Sequence, residues 1–320
     1  MADNTKKLQV AVIVPCYNEA QTIKKVVKDF KKALPGATIF VFDNNSSDET
    51  SRVAREAGAE VRFVALPGKG NVVRRMFADV DADVYLMVDG DATYDAASAP
   101  KMVQRLVDEN LDMVVGCRTE QSTDNENYRP GHRIGNKLLT GSVQKMFSGN
   151  FTDMLSGYRV FSRRYAKSFT ADSKGFETET ELTVHALEMR MPFAEVMTPY
   201  FERPEGSESK LSTYKDGIKI LKMILRLYSN ERPLRFWGII GSVFLILAII
   251  LSVPILIEFA ETREVARFPT LIASTAISIA SLLFFTIGLV LRTVTKGRKE
   301  TNYLMYLAIP SVRSSVNSNE

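Results

Sequence analysis

Gln9–Glu19, QVAVIVPCYNE, opens with an apolar run that stops at Pro15 and turns polar. A run this short, bounded by proline, reads as a buried strand. The same phrase recurs downstream. Glu19–Lys32 is helical in period, with Ile23, Val26, Val27 and Phe30 on one face. Thr38–Phe42 is a second strand ending at Asp43, and Ser47 or Asp48 can cap a helix running to Ala57. Glu60–Ala65 reads as a third strand, Gly70–Ala78 as a helix, Val84–Val88 as a strand ending at Asp89, and Met113–Val115 as a fifth strand. Strands and helices in alternation predict an α/β, Rossmann-like domain with a mainly parallel sheet covered by helices.

Ligands of such sheets bind beyond the carboxyl ends of the strands. Four polar signals fall there: Pro15-Cys-Tyr-Asn-Glu19, Asp43-Asn-Asn-Ser-Ser-Asp48, Pro67-Gly-Lys-Gly70 and Asp89-Gly-Asp91. Asp89 and Asp91, one small residue apart, can share a hard divalent cation with diphosphate oxygens; an ordinary turn uses the same residue types. Asp43 can accept from a base or ribose, or close an Asx turn. Gly68-Lys69-Gly70 opens a helix, so backbone N–H groups and a lysine can face a phosphate, although it is no Walker sequence. The histidines, His132 and His185, form no metal-ligand pair, and His185 in the LTVHALEM helix reads as a packed residue.

The 320-residue chain divides in composition. Residues 1–212 mix charged and apolar residues, whereas Phe236–Ile257 and Pro269–Leu291 carry no charge. At ~1.5 Å per residue each block spans a hydrocarbon core of roughly 30 Å. Pro254 is expected to disturb only the end of the first span. Lys215, Lys219, Lys222, Arg226, Arg232 and Arg235 precede the pair, and Arg292, Lys296, Arg298 and Lys299 follow it. Between the spans, 258–268 holds only Arg263 and Arg267 among Glu258, Glu261 and Glu264. The positive-inside rule then places both termini in the cytoplasm. Within 213–235 a ridge of Lys215, Lys219, Lys222 and Arg226 opposes Ile218, Leu221, Ile224, Leu225 and Tyr228, as in an amphipathic interfacial helix. Trp237 sits where an aromatic belt is expected. The four segments are therefore a cytosolic domain (1–212), the interfacial helix and linker (213–235), the spans (236–291) and a cytosolic tail (292–320). Met1–Lys7 has no apolar signal-peptide core, and Cys16 and Cys117 show no metal or disulfide spacing, as in a reducing compartment. A net charge of +4 without a basic, aromatic patch excludes nucleic-acid binding as the expected role.

In their order and spacing, PCYNE, DNNSSDET, GKG and DGD resemble the family 2 glycosyltransferases of GT-A fold. SGYRVFSRR (156–164), GFETETEL (175–182) and RPEGSESKL (203–211) are similar to the branch that glycosylates polyprenyl phosphate, including dolichyl-phosphate mannose synthase and bacterial relatives with two C-terminal spans. The resemblance covers about residues 8–300. It implies that Pro15, Tyr17, Glu19 and Asp43 bind the nucleoside and that Lys69 lies near the donor. Asp89 and Asp91 would hold Mg²⁺ or Mn²⁺ on the diphosphate. Arg118, with His132 or Arg133, would meet the acceptor phosphate, and Arg203, Ser209 and Lys210 would belong to a loop closing over the donor. Of Glu177, Glu179 and Glu181, which cannot share one helix face, Glu179 and Glu181 are favoured as site carboxylates, with Asp91 as the third catalytic residue. The Gln-x-x-Arg-Trp motif of processive relatives is absent.

The implied activity is inverting, metal-dependent transfer of a hexose from a nucleotide-sugar to undecaprenyl or dolichyl phosphate. UDP-glucose or UDP-N-acetylglucosamine is favoured, with GDP-mannose open. The expected setting is an integral protein of a prokaryotic plasma membrane, with homo-oligomerisation open. The alternatives are transfer to another membrane lipid and nucleotide-sugar binding without turnover.

Overall fold

Along Ala11–Cys16 successive side chains leave on opposite sides of the backbone, and both sides are buried. Val12, Val14 and Cys16 enter one apolar cluster, with α1 (Ile23–Ala33) and α4 (Ala99–Asp108). Ala11 and Ile13 enter a second, with α3 (Lys69–Asp79) and α6 (Thr178–Glu188). A strand apolar on both faces belongs inside a helix-covered sheet. In the computed structural model, which describes residues 8–119, 141, 151–170, 177–203 and 213–313, that is its place.

Among the described residues the sheet has seven strands, in the order β3-β2-β1-β4-β6-β5-β7. They are β1 (Val10–Cys16), β2 (Thr38–Asp43), β3 (Glu60–Phe63), β4 (Val84–Met87), β5 (Met113–Arg118), β6 (Arg159–Ser162) and β7 (Phe193–Thr198). β1 pairs in parallel with β2, Ala11 opposite Thr38, and with β4, Val10 opposite Val84. β6 is the one antiparallel member, wedged between β4 and β5. The remaining helices of this part are α2 (Thr50–Glu56) and α5 (Arg163–Ser168).

The sequence-based boundaries differ in detail. β1 runs through Pro15 to Cys16, and α1 begins at Ile23 rather than Glu19, because Glu19–Thr22 form a turn closed by Thr22 N on the Glu19 carbonyl. Neither Ser47 nor Asp48 is the N-cap of α2; Glu49 is, and Asp48 Oδ1 accepts from Thr50 N inside the turn.

The chain divides into two units: the described residues up to Ile224 together with those from Asn302 onward, and Leu225–Thr301. The second unit is dominated by α8 (Pro233–Thr262, 30 residues) and α9 (Phe268–Leu307, 40 residues), each long and apolar enough to cross a membrane. α8 continues past Pro254 to Thr262, so the proline sits within the helix rather than in its last turn and leaves the Ile250 carbonyl without its usual donor. The two helices meet through small residues. Ser281 Oγ donates to the Gly241 carbonyl at 2.8 Å, and Trp237 stacks on Phe284 at 5.7 Å. A Cβ on Gly241 would come within 3.1 Å of the Phe285 ring. Glu231, at the end of α7 (Thr213–Glu231), takes Arg298 and Lys299 as ion-pair partners. On α7, Ile218, Leu221 and Leu225 are exposed while Ile224 is fully buried, so part of the expected lipid-facing arc is covered.

α9 stays helical through Leu307, where the sequence suggested a tail. Its end returns to the α/β unit: Tyr306 Oη donates to Asp112 Oδ2 at 2.7 Å, beneath the Arg164 guanidinium 4.7 Å from the ring. Val312 is buried in the first apolar cluster.

Candidate active site

The segments after β1 and β2 are stapled together by short polar side chains. Asn18 Oδ1 accepts from Ser47 N at 2.7 Å, Ser46 Oγ from Asn18 N at 2.9 Å, Thr50 Oγ1 from Glu19 N at 2.8 Å and Asp48 Oδ2 from Ala20 N at 3.0 Å. DNNSSDET follows the second strand because the Ser46, Asp48 and Thr50 side chains satisfy backbone that the turning chain leaves unpaired. Asn44 performs the same service for the third loop. Its Nδ2 donates to the Val64 and Leu66 carbonyls at 2.9 and 2.8 Å, and its Oδ1 accepts from Gly68 N at 2.7 Å. Gly68 has φ +117°, a backbone form closed to residues with a Cβ, and it turns the chain so that Lys69 starts α3.

These loops and the end of β4 enclose a cavity of about 570 Å³. Nine expected site residues line it: Pro15, Tyr17 and Glu19 from the first loop, Lys69, Asp89 and Asp91, and Arg118, Glu179 and Arg203. Asp43 and Glu181 are buried and do not line it. The Asp43 carboxylate closes its own turn, accepting from Ser46 N at 3.0 Å and from Ser51 Oγ. His132, Arg133, Ser209 and Lys210 lie outside the described residues. His185 packs between the rings of Tyr165 and Phe169, and burial lowers its pKa to about 4.

The adjoining wall is charged. Lys69 Nζ lies 2.6 Å from Asp89 Oδ1 and 2.5 Å from Glu179 Oε1. Burial alone would lower the ammonium pKa, but the two carboxylates outweigh it and raise it. Arg203 Nη2 reaches Asp91 Oδ2 at 2.6 Å, and Asp91 Oδ1 accepts from Thr93 Oγ1 at 2.6 Å. Arg118 forms a two-pronged pair with Asp153, 2.7 Å on each prong, with its guanidinium 5.5 Å from the centre of the Tyr200 ring. Burial opposes both charges of that pair. Their mutual attraction prevails, holding Asp153 below the ordinary carboxylate range and Arg118 above its own ordinary value. Glu179 Oε2 is buried at this wall without a hydrogen-bond partner among the described residues.

Asp89 and Asp91 present hard oxygens from a single turn, the donor type that Mg²⁺ or Mn²⁺ takes. Gly157 makes room for them: a Cβ there would stand 2.4 Å from Asp89 Oδ2. Among the described residues no cluster of three His, Cys, Asp or Glu could hold an ion by itself. The pair therefore fits an ion that brings other ligands with it, such as diphosphate oxygens.

Sequence reasoning missed Asn44 as a hub, Asp153 as the partner of Arg118, and the Tyr94–Tyr200 pair, whose rings meet at 5.3 Å. The two asparagines in DNNSS were a usable signal, since Asn side chains serve loop backbone of this kind. FTDML offered none.

A cavity at the carboxyl ends of parallel strands, walled by backbone-bound loops and by an Asp-Gly-Asp turn, lies where open α/β sheets bind their ligands. Residues 11–169 match the glycosyl transferase family 2 profile. Glycosyltransferase AglJ of Haloferax volcanii is 35% identical over 238 residues, covering 72% of this chain and 76% of AglJ. The chain belongs to glycosyltransferase family 2. A dolichyl-phosphate hexose transferase of the same organism is 28% identical over 224 residues, covering 70% of this chain and 95% of that protein. Among solved structures, glucosyl-3-phosphoglycerate synthase from Mycobacterium tuberculosis, in complex with Mn²⁺, UDP and glucosyl-3-phosphoglycerate, superposes with a TM-score of 0.57. At 21% identity, over 70% of this chain and 80% of that one, the match shows the GT-A-like fold. The protein is a glycosyltransferase.

Proposed function

We propose that the enzyme transfers a hexose, with inversion, from a nucleotide-sugar to the phosphate of a membrane polyprenyl phosphate. The observation that carries this reading is the division of one cavity into loops held by side chain–backbone hydrogen bonds and a wall of paired charges. A nucleoside fits the first and a diphosphate with its cation the second. The name of the dolichyl-phosphate hexose transferase relative and the Mn²⁺–UDP complex of the structural neighbour support the acceptor class and the metal.

Asp89 and Asp91 would hold the cation, which supplies charge neutralisation on the departing diphosphate. Lys69 and Arg203 already lie against these carboxylates and add cationic charge beside the leaving group. The unpartnered Glu179 Oε2 is placed to accept from a donor hydroxyl. A phosphate monoester, with a second pKa of about 6, is largely dianionic near neutral pH and needs little help from a general base. Positioning and charge stabilisation are then the main tasks of the site.

Such an acceptor is held at a bilayer, which accounts for α8 and α9. Tyr306, in the last turn of α9, bonds Asp112, and Val312 beyond that helix is buried in the first apolar cluster; a two-span hairpin with both ends on one face is consistent with this. The basic flanks assign that face to the cytoplasm.

The test is a panel of nucleotide-sugars supplied with undecaprenyl phosphate to the full chain in detergent. One donor, expected to be a UDP-hexose, should yield a lipid-extractable, mild-acid-labile glycolipid. An acid-stable product on another lipid would replace the acceptor assignment.

A further inference from the structure

Arg159 is the largest fully buried side chain among the described residues, and it does not line the cavity. All its described hydrogen-bond acceptors are neutral. Nε donates to the Ser156 carbonyl at 2.9 Å, Nη2 to the Met154 carbonyl, and Nη1 to Thr183 Oγ1 at 3.0 Å. Burial lowers its pKa, against the opposing pull of Tyr165, Glu179 and Asp153. A guanidinium buried without a carboxylate partner is costly, and an apolar residue of similar volume in such a place is often neutral or stabilising. Packing does not explain its presence.

What it holds does. The segment gripped at Met154 and Ser156 contributes three elements of the site. Asp153 fixes Arg118 through the two-pronged pair. Leu155 lines the cavity. Gly157 lies against the Asp89 carboxylate, and its N–H donates to Tyr94 Oη at 3.0 Å. On the other side, Thr183 Oγ1, which accepts from Arg159, donates in turn to the Glu179 carbonyl at 3.0 Å. One guanidinium thus ties the Arg118–Asp153 pair, the backbone beside Asp89 and the helical turn that bears Glu179.

We infer that Arg159 is a positioning residue for glycosyl transfer: its fork sets Glu179 and Arg118 relative to Asp89 across the charged wall of the cavity. A 1 Å error in such an arrangement is enough to lose about 10²-fold in rate. The inference rests on the glycosyltransferase activity, not on the identity of the acceptor.

The test compares Arg159→Met, Arg159→Lys and Thr183→Val in the full-length enzyme. Each is assayed for kcat per folded molecule and for binding of UDP with Mn²⁺. The ratio to wild type is read with whichever donor and acceptor the wild-type enzyme uses, so an error in the polyprenyl-phosphate reading leaves it intact. Arg159→Met should lower kcat about 10- to 100-fold while UDP–Mn²⁺ affinity stays within about threefold. Arg159→Lys should fall between it and wild type. Thr183→Val, which cuts only the link to Glu179, should lose about 3- to 10-fold and serves as the test if the Met variant does not fold. A folded Arg159→Met or Thr183→Val variant with wild-type kcat would overturn the assignment. So would losses of kcat and UDP–Mn²⁺ binding that merely track the fraction of folded protein, since that is a structural role.

Discussion

The two walls of the cavity are built on opposite principles. Around Pro15–Glu19 and Asn44–Gly68, Ser46, Ser47, Asp48, Thr50 and Asn44 hold the loops by side chain–backbone hydrogen bonds. Beside them, Lys69, Asp89, Glu179, Asp91 and Arg203 are held by one another's charge. A wall fixed by hydrogen bonds keeps its shape whether or not a ligand is present. A wall of paired charges is built to exchange partners, because an incoming cation and diphosphate offer each side chain a new counter-ion. Shape selectivity should therefore reside in the first wall and rate in the second.

The sharpest break in that comparison is Asp91→Ala. It removes one hard oxygen donor and the carboxylate that Arg203 contacts, so transfer should fall about 10³-fold or more with either Mg²⁺ or Mn²⁺. The protein should still fold, as far-UV circular dichroism would show, because among the described residues Asp91 supports only its own turn and Arg203. Substantial retained turnover would remove the metal assignment. Asn44→Ala acts on the other wall. Three hydrogen bonds, one buried and two partly buried, are lost with the loop backbone left in place, which should cost about 2–4 kcal/mol in denaturant unfolding. Donor KM should rise several-fold while kcat changes little. Equal loss in kcat would mean that the walls do not divide the work as described.

Legibility in the sequence followed a similar division. The half of the sheet from β1 to β4 could be read because each strand is an apolar run cut off by a polar strand end. β6 and β7 could not. β6 begins with the charged Arg159, and β7 is an edge strand, PFAEVMT in context, with Glu195 within it. The Asp-Gly-Asp pair and Lys69 were legible as residue types at strand ends. That Lys69 bridges Asp89 to Glu179 was not, because α6 reaches the site from over 100 positions away and is buried despite Thr178, Thr180 and Thr183. Asp43 illustrates the reverse: both readings of it were open, and the structure shows the carboxylate closing its turn.

The smallest effect concerns a residue in neither wall. The folded pKa of His185 is lowered to about 4 from an ordinary 6.5. The unfolded chain therefore binds the proton first as pH falls, and stability present above pH 6.5 is lost progressively toward pH 4. Because the residue is only partly covered, the loss should be about 1–3 kcal/mol. His185→Leu should flatten that part of the pH–stability curve without altering turnover at pH 7. A curve unchanged by the substitution would assign the titration elsewhere.

The central claim, that a lipid phosphate takes the sugar at the charged wall, is tested most directly by offering the enzyme undecaprenyl phosphate and undecaprenol side by side, each with its active donor and Mn²⁺. The account predicts nucleoside diphosphate release and glycolipid formation with the phosphate alone, since its dianion is the nucleophile and the site holds no group assigned to activate an alcohol. Comparable product from the alcohol would contradict it.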